Sequence, residues 1–459
     1  MTTTRPAVGL ALGLGAAVVL GGLALAAGLG TGAAIVAALC GLCALWWTLE
    51  PIPIAATSLV PFVVLPMGGL LDRDAAAAAF GHPLILLLMG GFLLSTVMER
   101  SGAHEQLALR VVRGLGQRSG RRAVLGFMVA CALASMWISN TATVLMLLPV
   151  AAAVVDRSSD PARLGPPLFL GLAWAANLGG MATPVGTPPN ALLLAELHAQ
   201  GHPWGFAQFM VVGLPVVLLL VPVVWLWLVR DATLGAVVVE APRARPWAPR
   251  EVRALGLFAV TVVLWVTRTA PFGGWGAWLG LTQVGDHTVA LGMVLWAFLL
   301  PNGEGERLLD WPTAVKIPWG LLLLFAGGIA LGKGFKAAEL DVALAHGLQH
   351  LADLPLPVTV LVLAVTVSMV TEVLSNTATA ALLMPVLATA AMEAGEPVPS
   401  WIVPAGLATS CAFMLPVATA PNAIVVGSGR VPTRFMAREG LVVNVAAAVV
   451  VAAVTLLLS

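Results

Sequence analysis

Long apolar segments separated by short polar turns run through the whole chain of 459 residues. A helix that crosses a bilayer needs about 20 mostly apolar residues. Eleven segments fit this requirement, two of them interrupted by proline and glycine. The predicted crossings are 7–30, 33–49, 52–70, 81–99, 165–199 (interrupted), 208–230, 251–270, 286–300, 318–333, 399–430 (interrupted) and 436–458. The pattern predicts an all-α polytopic membrane protein.

Two further apolar regions, 121–155 and 357–392, carry the same polar string near their centres. The strings SNTATVLMLLPV at 139–150 and SNTATAALLMPV at 375–386 are identical at eight of twelve positions. Each region is too long for one simple crossing and is polar at its middle. We therefore predict two re-entrant hairpins, in each of which two half-helices meet at a Ser-Asn-Thr tip.

The repetition extends beyond the hairpins. LLLMGGFLL at 86–94 resembles LLLFAGGIAL at 322–331, and VGTPPNALL at 185–193 resembles VATAPNAIV at 417–425. Five crossings and one hairpin lie between corresponding landmarks. Because five is odd, the second half is predicted to be inverted relative to the first. Inverted repeats with broken helices at the midplane are typical of secondary transporters.

Charge supports a membrane topology and limits the class of partner. Only 10% of the residues are charged, against about 25% in soluble domains, and the net charge of +1 argues against nucleic acid. With a cytoplasmic N-terminus and two re-entrant hairpins, 19 Lys and Arg residues fall inside and 4 outside. The positive-inside rule favours this arrangement. It predicts a multi-pass protein of the cell membrane whose C-terminus lies outside.

The two tips have the chemistry of an anion site without a basic side chain. Each Ser-Asn-Thr precedes a helix-forming run, where Ser, Asn and Thr are good N-caps. Free N–H groups and the helix dipole favour an anion at that end. No Lys or Arg lies within 123–155 or 340–429. An anion there would be held by dipoles, hydroxyls and a co-bound cation.

Oxygen-bearing residues near each tip also predict a cation site. A hydroxyl residue lies one helical turn before each tip, on the same helix face, and a proline-rich break supplies backbone carbonyls. The predicted cation ligands are Ser135, Ser139, Asn140 and Gly186 at the first site, and Thr371, Leu374, Asn376 and Ala418 at the second. Two such sites would suit a ligand with an anionic group at each end, such as a small dicarboxylate.

Other polar residues in the apolar segments have simpler interpretations. Glu372 lies inside the second hairpin, but its counterpart in the first is Met136, so we predict a structural role. Asn177 and Asn444 are predicted to bond between helices. No histidine or cysteine cluster lies near either tip, which argues against an intramembrane enzyme. No organic cofactor is expected. A channel is a remaining alternative to a transporter.

The paired strings SMWISNT (135–141) and TEVLSNT (371–377), with GTPPNA (186–191) and ATAPNA (418–423), resemble the divalent-anion:sodium symporter family, dicarboxylate branch. The resemblance implies a homodimer in which each protomer has a scaffold domain and a transport domain that moves as an elevator. Its predicted parts are scaffold 1–120 (four crossings and an interfacial helix), transport 121–230 (first hairpin, interrupted fifth crossing, sixth crossing), scaffold 231–356 (three crossings and an interfacial helix) and transport 357–459 (second hairpin, interrupted tenth crossing, eleventh crossing).

The resemblance also implies the ligands. The family's two sodium sites fall on the cation ligands named above, with sodium as the coupling ion. Its substrate contacts fall on Asn140, Thr141, Thr187, Ser375, Asn376, Thr377 and Thr419. The expected function is sodium-coupled symport of succinate, malate or fumarate. Ala420 departs from the family, which usually has proline there, and this leaves citrate or sulfate as alternative substrates. Because some branches of the family exchange dicarboxylates without sodium, a sodium-independent dicarboxylate exchanger is a further alternative.

Overall fold

The computed structural model describes residues 6–116, 119–231, 233–234, 245–269, 273–351 and 353–458. These residues form 23 α-helices and connecting turns, without a β-strand. In the first half the helices are α1 (Pro6–Ala26), α2 (Gly30–Leu49), α3 (Ile54–Thr57), α4 (Val60–Met67), α5 (Arg73–Phe80), α6 (Pro83–Ser101), α7 (Ala103–Leu115), α8 (Gly120–Ser135), α9 (Asn140–Asp156), α10 (Pro161–Gly180), α11 (Pro188–Ala199) and α12 (Phe206–Leu228).

The second half repeats this order of long and broken helices. Its helices are α13 (Pro249–Val266), α14 (Gly274–Trp278), α15 (Asp286–Leu299), α16 (Trp311–Ala314), α17 (Trp319–Ala337), α18 (Leu340–His346), α19 (Leu356–Val370), α20 (Asn376–Glu393), α21 (Val398–Ala408), α22 (Ala420–Gly427) and α23 (Thr433–Leu458). Residue 270, the last of the predicted span 251–270, lies outside the described residues. So do Arg5, Arg118 and Arg243, which belong to the 19 basic residues that the predicted topology places inside.

The all-helical, polytopic prediction is confirmed. Among the described residues, six helical stretches are long and apolar enough to cross a membrane, and several apolar helices are shorter. The six stretches are 6–26, 30–49, 73–101, 206–228, 319–337 and 433–458. Every predicted crossing coincides with a helix or a broken pair of helices.

Each predicted hairpin is a pair of helices joined by a short tip. The first tip, 136–139, joins α8 to α9, and both helices pack on α10. The second tip, 371–375, joins α19 to α20, and both pack on α21. The structure holds no membrane, so entry of the hairpins from opposite sides remains a prediction.

The two interrupted crossings are each a pair of helices with an irregular break. Residues 181–187 separate α10 from α11, and residues 409–419 separate α21 from α22. Each second helix begins with proline in its first turn, where the missing N–H costs nothing. Because the breaks are not helical, some of their backbone N–H and C=O groups are not bonded within a helix. These groups lie beside the hairpin tips.

The predicted span 52–70 consists of two short helices, α3 and α4. The Ser58 hydroxyl, between them, donates to Ile54 O at 2.7 Å and accepts from Trp47 Nε1 at 3.1 Å. A side chain that bonds its own backbone in this way often bends a helix. The interruption therefore follows from a polar residue that hydropathy alone does not reveal.

Candidate functional site

The first tip gathers oxygen atoms around the Ser135 hydroxyl. Its Oγ lies 2.6 Å from Asn140 Oδ1 and 2.8 Å from the carbonyl oxygen of Ala176. A hydroxyl has one hydrogen to donate. One hydrogen bond therefore explains only one of these two short oxygen–oxygen distances. Ser139 caps α9 and accepts from Ala142 N at 3.3 Å. Two of the predicted ligands of the first site, Ser135 and Asn140, are thus in contact at the start of α9.

The second tip repeats this geometry. Thr371 Oγ1 lies 2.7 Å from Asn376 Oδ1 and 2.9 Å from the carbonyl oxygen of Thr409. Helix α20 begins at Asn376, after Ser375. The hydroxyl-to-amide pair is therefore the same in both halves, with threonine in place of serine. Such oxygen clusters beside broken helices suit a coupling cation such as sodium.

Two glycines let the first break pack against its tip. A Cβ atom at Gly180 would lie 2.9 Å from Asn140 Oδ1 and 3.1 Å from Gly186 O. A Cβ atom at Gly186 would lie 2.5 Å from Gly180 O and 3.0 Å from Met136 O. The lack of side chains at these two glycines thus allows the carbonyls of Gly180, Gly186 and Met136 and the Asn140 amide to approach closely, which supports the prediction that Gly186 contributes a carbonyl.

An asparagine in each proline-rich motif holds the break closed. Asn190 Nδ2 donates to the carbonyls of Gly180 at 2.9 Å and Thr183 at 2.7 Å. Asn422 Nδ2 donates to Ala412 O at 3.0 Å and to Leu415 O at 3.1 Å. Both side chains are fully buried. No role was predicted for these two asparagines, although their matching positions in GTPPNA and ATAPNA indicate one.

Glu372 satisfies the second break through its carboxylate. Oε1 accepts from Phe413 N at 2.6 Å and Met414 N at 2.8 Å, and Oε2 accepts from Leu415 N at 2.9 Å. Asn444 Nδ2 also donates to Oε1, at 2.8 Å. The side chain is 3% exposed, and no Lys or Arg of the described residues pairs with it. The structural role predicted for Glu372 therefore takes the form of bonds to backbone N–H groups.

Asn177 connects the two halves. From α10 of the first half, its Nδ2 lies 3.1 Å from Thr419 Oγ1 and 3.3 Å from Ala412 O. The bonds predicted for Asn177 and Asn444 are both present. Since Thr419 also caps α22 by accepting from Asn422 N at 3.3 Å, Asn177 fixes one predicted substrate contact from the opposite half.

Both tips and both breaks line one cavity of about 530 Å³. It brings together all seven predicted substrate contacts, and Ser139, Gly186 and Ala418 as well. Ser135 and Thr371 do not line the cavity and are fully buried. Leu374 does not line it either, and its N–H donates to Val370 O. Binding by any of these residues remains a prediction that the cavity makes geometrically possible.

The rest of the cavity wall comes from α6 and from the segment before α17, including Glu99 and Lys316. Asp310 fixes this segment, because it accepts from Thr313 N at 2.9 Å and pairs with Arg100 at 2.6 Å. The hydrogen bonds from Thr313, and then the Arg100 guanidinium, hold the pKa of the Asp310 carboxyl below its usual value.

Comparison with known proteins gives a consistent result. A sequence profile of the citrate transporter family matches residues 44–405. The sodium-dependent dicarboxylate transporter SdcS of Staphylococcus saprophyticus is 35% identical over 433 residues, covering 89% of this chain and 82% of the relative. SdcS of Staphylococcus aureus strain NCTC 8325 is 34% identical, with the same coverage.

A solved structure agrees in fold. The chain is similar to the YdaH transporter of Alcanivorax borkumensis, with a TM-score of 0.60, 15% identity, and coverage of 88% of this chain and 98% of that chain. The profile and the relatives at 34–35% identity show a transporter and not an enzyme. The chain therefore belongs to the divalent-anion:sodium symporter family, as the resemblance of its paired motifs indicated.

Proposed function

We propose that this transporter carries a C4 dicarboxylate of the succinate, malate and fumarate class together with sodium. One observation carries the proposal: two hydroxyl–asparagine pairs, related by the internal repeat, lie at one cavity whose tips hold no basic side chain. A dianion with one carboxylate at each tip would use both. The names of the relatives, sodium-dependent dicarboxylate transporters, support this choice.

In this proposal the helix N-termini hold the substrate and the oxygen clusters hold sodium. First-turn N–H groups at each tip have no partner within their own helix and can donate to a carboxylate. The side chains proposed to assist them are Asn140, Thr141 and Thr187 at the first tip, and Ser375, Asn376, Thr377 and Thr419 at the second. Sodium would bind at Ser135, Ser139, Asn140 and Gly186, and at Thr371, Leu374, Asn376 and Ala418. Bound sodium would offset the charge of the dianion.

We further propose an elevator in which segments 121–230 and 357–459 move together against segments 1–120 and 231–356. The tips, breaks and cavity oxygens all belong to the moving segments, apart from the wall formed by α6 and α17. The proposed assembly is a homodimer with a cytoplasmic N-terminus and an external C-terminus. Cross-links between engineered cysteines on α6 and α11, formed with and without sodium, would test relative movement.

A second substrate class has one specific observation in its favour. Ala420 begins α22 at the position where Pro188 begins α11, and both line the cavity. The smaller alanine leaves more room at the second tip, and the matching profile is that of citrate transporters. Citrate, or sulfate, is therefore the alternative substrate. An Ala420→Pro variant should shift preference towards succinate if this residue selects the ligand.

Uptake into proteoliposomes tests the proposal. Purified protein should accumulate labelled succinate when sodium is higher outside, and should do so far less in choline. Uptake that is indifferent to sodium but needs internal dicarboxylate would instead establish an exchanger. If unlabelled malate and fumarate do not compete with the label while citrate or sulfate does, the alternative substrate class is correct.

A further inference from the structure

Two charged residues line the cavity that contains the tips. They are Glu99, near the end of α6, and Lys316, between α16 and α17. Both residues are exposed. Because the tips themselves have no basic side chain, Lys316 carries the one full positive charge among those described residues that line the cavity.

The Lys316 ammonium is free to act on a ligand. Within the described ranges its side chain makes no hydrogen bond or ion pair, whereas nearby Arg100 is engaged by Glu306 at 2.8 Å and Asp310 at 2.6 Å. The Lys316 backbone is nevertheless fixed. Its N–H donates to Thr313 O at 3.1 Å, and the next residue, Ile317, is buried. An ordered backbone thus presents an unpaired ammonium at the cavity.

We propose that Lys316 attracts the dianionic substrate into the cavity and that Glu99 opposes it. The inference rests on the proposed function, because it assumes a dianion. Charges of one sign at a cleft raise the local concentration of ions of the other sign, and a dianion feels twice the force of a monoanion. Glu99 lines the same cavity with the opposite charge. The two residues should therefore change substrate affinity in opposite directions.

Equilibrium exchange of labelled succinate, with equal sodium on both sides of proteoliposomes, measures this effect. Lys316→Gln should raise the KM about three- to tenfold and leave the maximal rate nearly unchanged. Glu99→Gln should lower the KM, and Lys316→Arg should retain the wild-type value. Raising ionic strength with choline chloride from about 0.1 M to about 1 M shortens the screening length from roughly 10 Å to 3 Å. The difference between wild type and Lys316→Gln should then shrink.

Arg73→Gln is the matched control, because Arg73 is 93% exposed and does not line the cavity. It should keep the wild-type KM. An unchanged KM in Lys316→Gln, or a rise in both Lys316→Gln and Glu99→Gln, would overturn the inference while leaving the proposed function intact. If Lys316→Gln does not fold, the Glu99→Gln variant still tests the inference, because its KM is expected to fall. A wild type that transports no succinate would overturn the proposed function and this inference with it.

Discussion

Replacement of Glu372 by glutamine should both loosen the second break and weaken sodium binding. The carboxylate accepts four hydrogen bonds, three of them from consecutive backbone N–H groups at 413–415. Glutamine keeps one oxygen, which can serve the three donors on Oε1, but its NH₂ group would face the N–H of Leu415. A buried donor without an acceptor costs about 1–3 kcal/mol. The other three hydrogen bonds become weaker because their acceptor is no longer ionised. We therefore expect the free energy of unfolding to fall by about 2–5 kcal/mol in all.

The same change removes a negative charge beside the second proposed sodium site, because Glu372 follows the site residue Thr371 in sequence. A unit charge about 8 Å from a cation contributes about 2 kcal/mol at an effective dielectric constant of 20. Each 1.4 kcal/mol corresponds to about tenfold in affinity. The sodium concentration for half-maximal uptake should therefore rise at least tenfold, while the succinate KM at saturating sodium changes less.

Two measurements separate these effects: thermal unfolding in detergent, followed by size exclusion, and sodium activation of succinate uptake. Glu393→Gln is the control, since Glu393 ends the neighbouring helix α20 and is exposed. It should leave both measurements unchanged. A Glu372→Gln protein with wild-type thermal stability would refute the hydrogen-bond reasoning. A folded variant with an unchanged sodium requirement would refute the electrostatic reasoning.

Three further outcomes are expected. Asn140→Ala and Asn376→Ala should each abolish sodium-driven uptake while the protein still elutes as a folded species. Wild-type uptake rates in both variants would contradict the site assignment. Gly180→Ala should reduce sodium activation strongly, because its Cβ would lie 2.9 Å from an amide oxygen of the first site, whereas Gly114→Ala, where the new Cβ meets open space, should not. Asp310 has a lowered pKa, so its contribution to stability is present above the usual carboxyl pKa and is lost as pH falls below it. Wild type and Asp310→Asn should therefore differ in unfolding temperature at pH 6 and converge near pH 3.

Hydropathy and repetition predicted the long helices well because both can be read directly from the order of residues in the sequence. Every apolar span is helical, as one helix or as a broken pair, and a helix begins within both Ser-Asn-Thr strings. Hydropathy did not predict α5, whose sequence RDAAAAAF is short and only weakly apolar. Its N-cap, Asp72, which accepts from Ala75 N at 2.6 Å, was a local signal that a search for long spans passes over.

The site was predictable only where the two halves repeat. The hydroxyl–asparagine pairs stand out because each occurs twice at a matching offset. Asn177 has no such counterpart, since its bonds cross from one half to the other. Lys316 and Glu99 lie more than 200 residues apart and meet at the cavity only through tertiary packing. No local pattern could have placed these three residues in one site.

Glu372 and Met136 occupy corresponding positions in the two halves. The difference between them follows from the hydrogen-bond acceptors that the N–H groups of the adjacent break require. In the first break the chain supplies its own acceptors, because Met181 N bonds Leu178 O and the following residues continue the turn. An apolar methionine is then sufficient at the tip. In the second break residues 411–415 are not helical, and the N–H groups of residues 413–415 take the Glu372 carboxylate as their acceptor in an apolar region, where an unsatisfied group is costly. A carboxylate meets that need, and it also places beside the second tip a negative charge that the first tip, with Met136, lacks. If both clusters bind sodium, the second should therefore fill first, although their oxygen ligands are nearly identical.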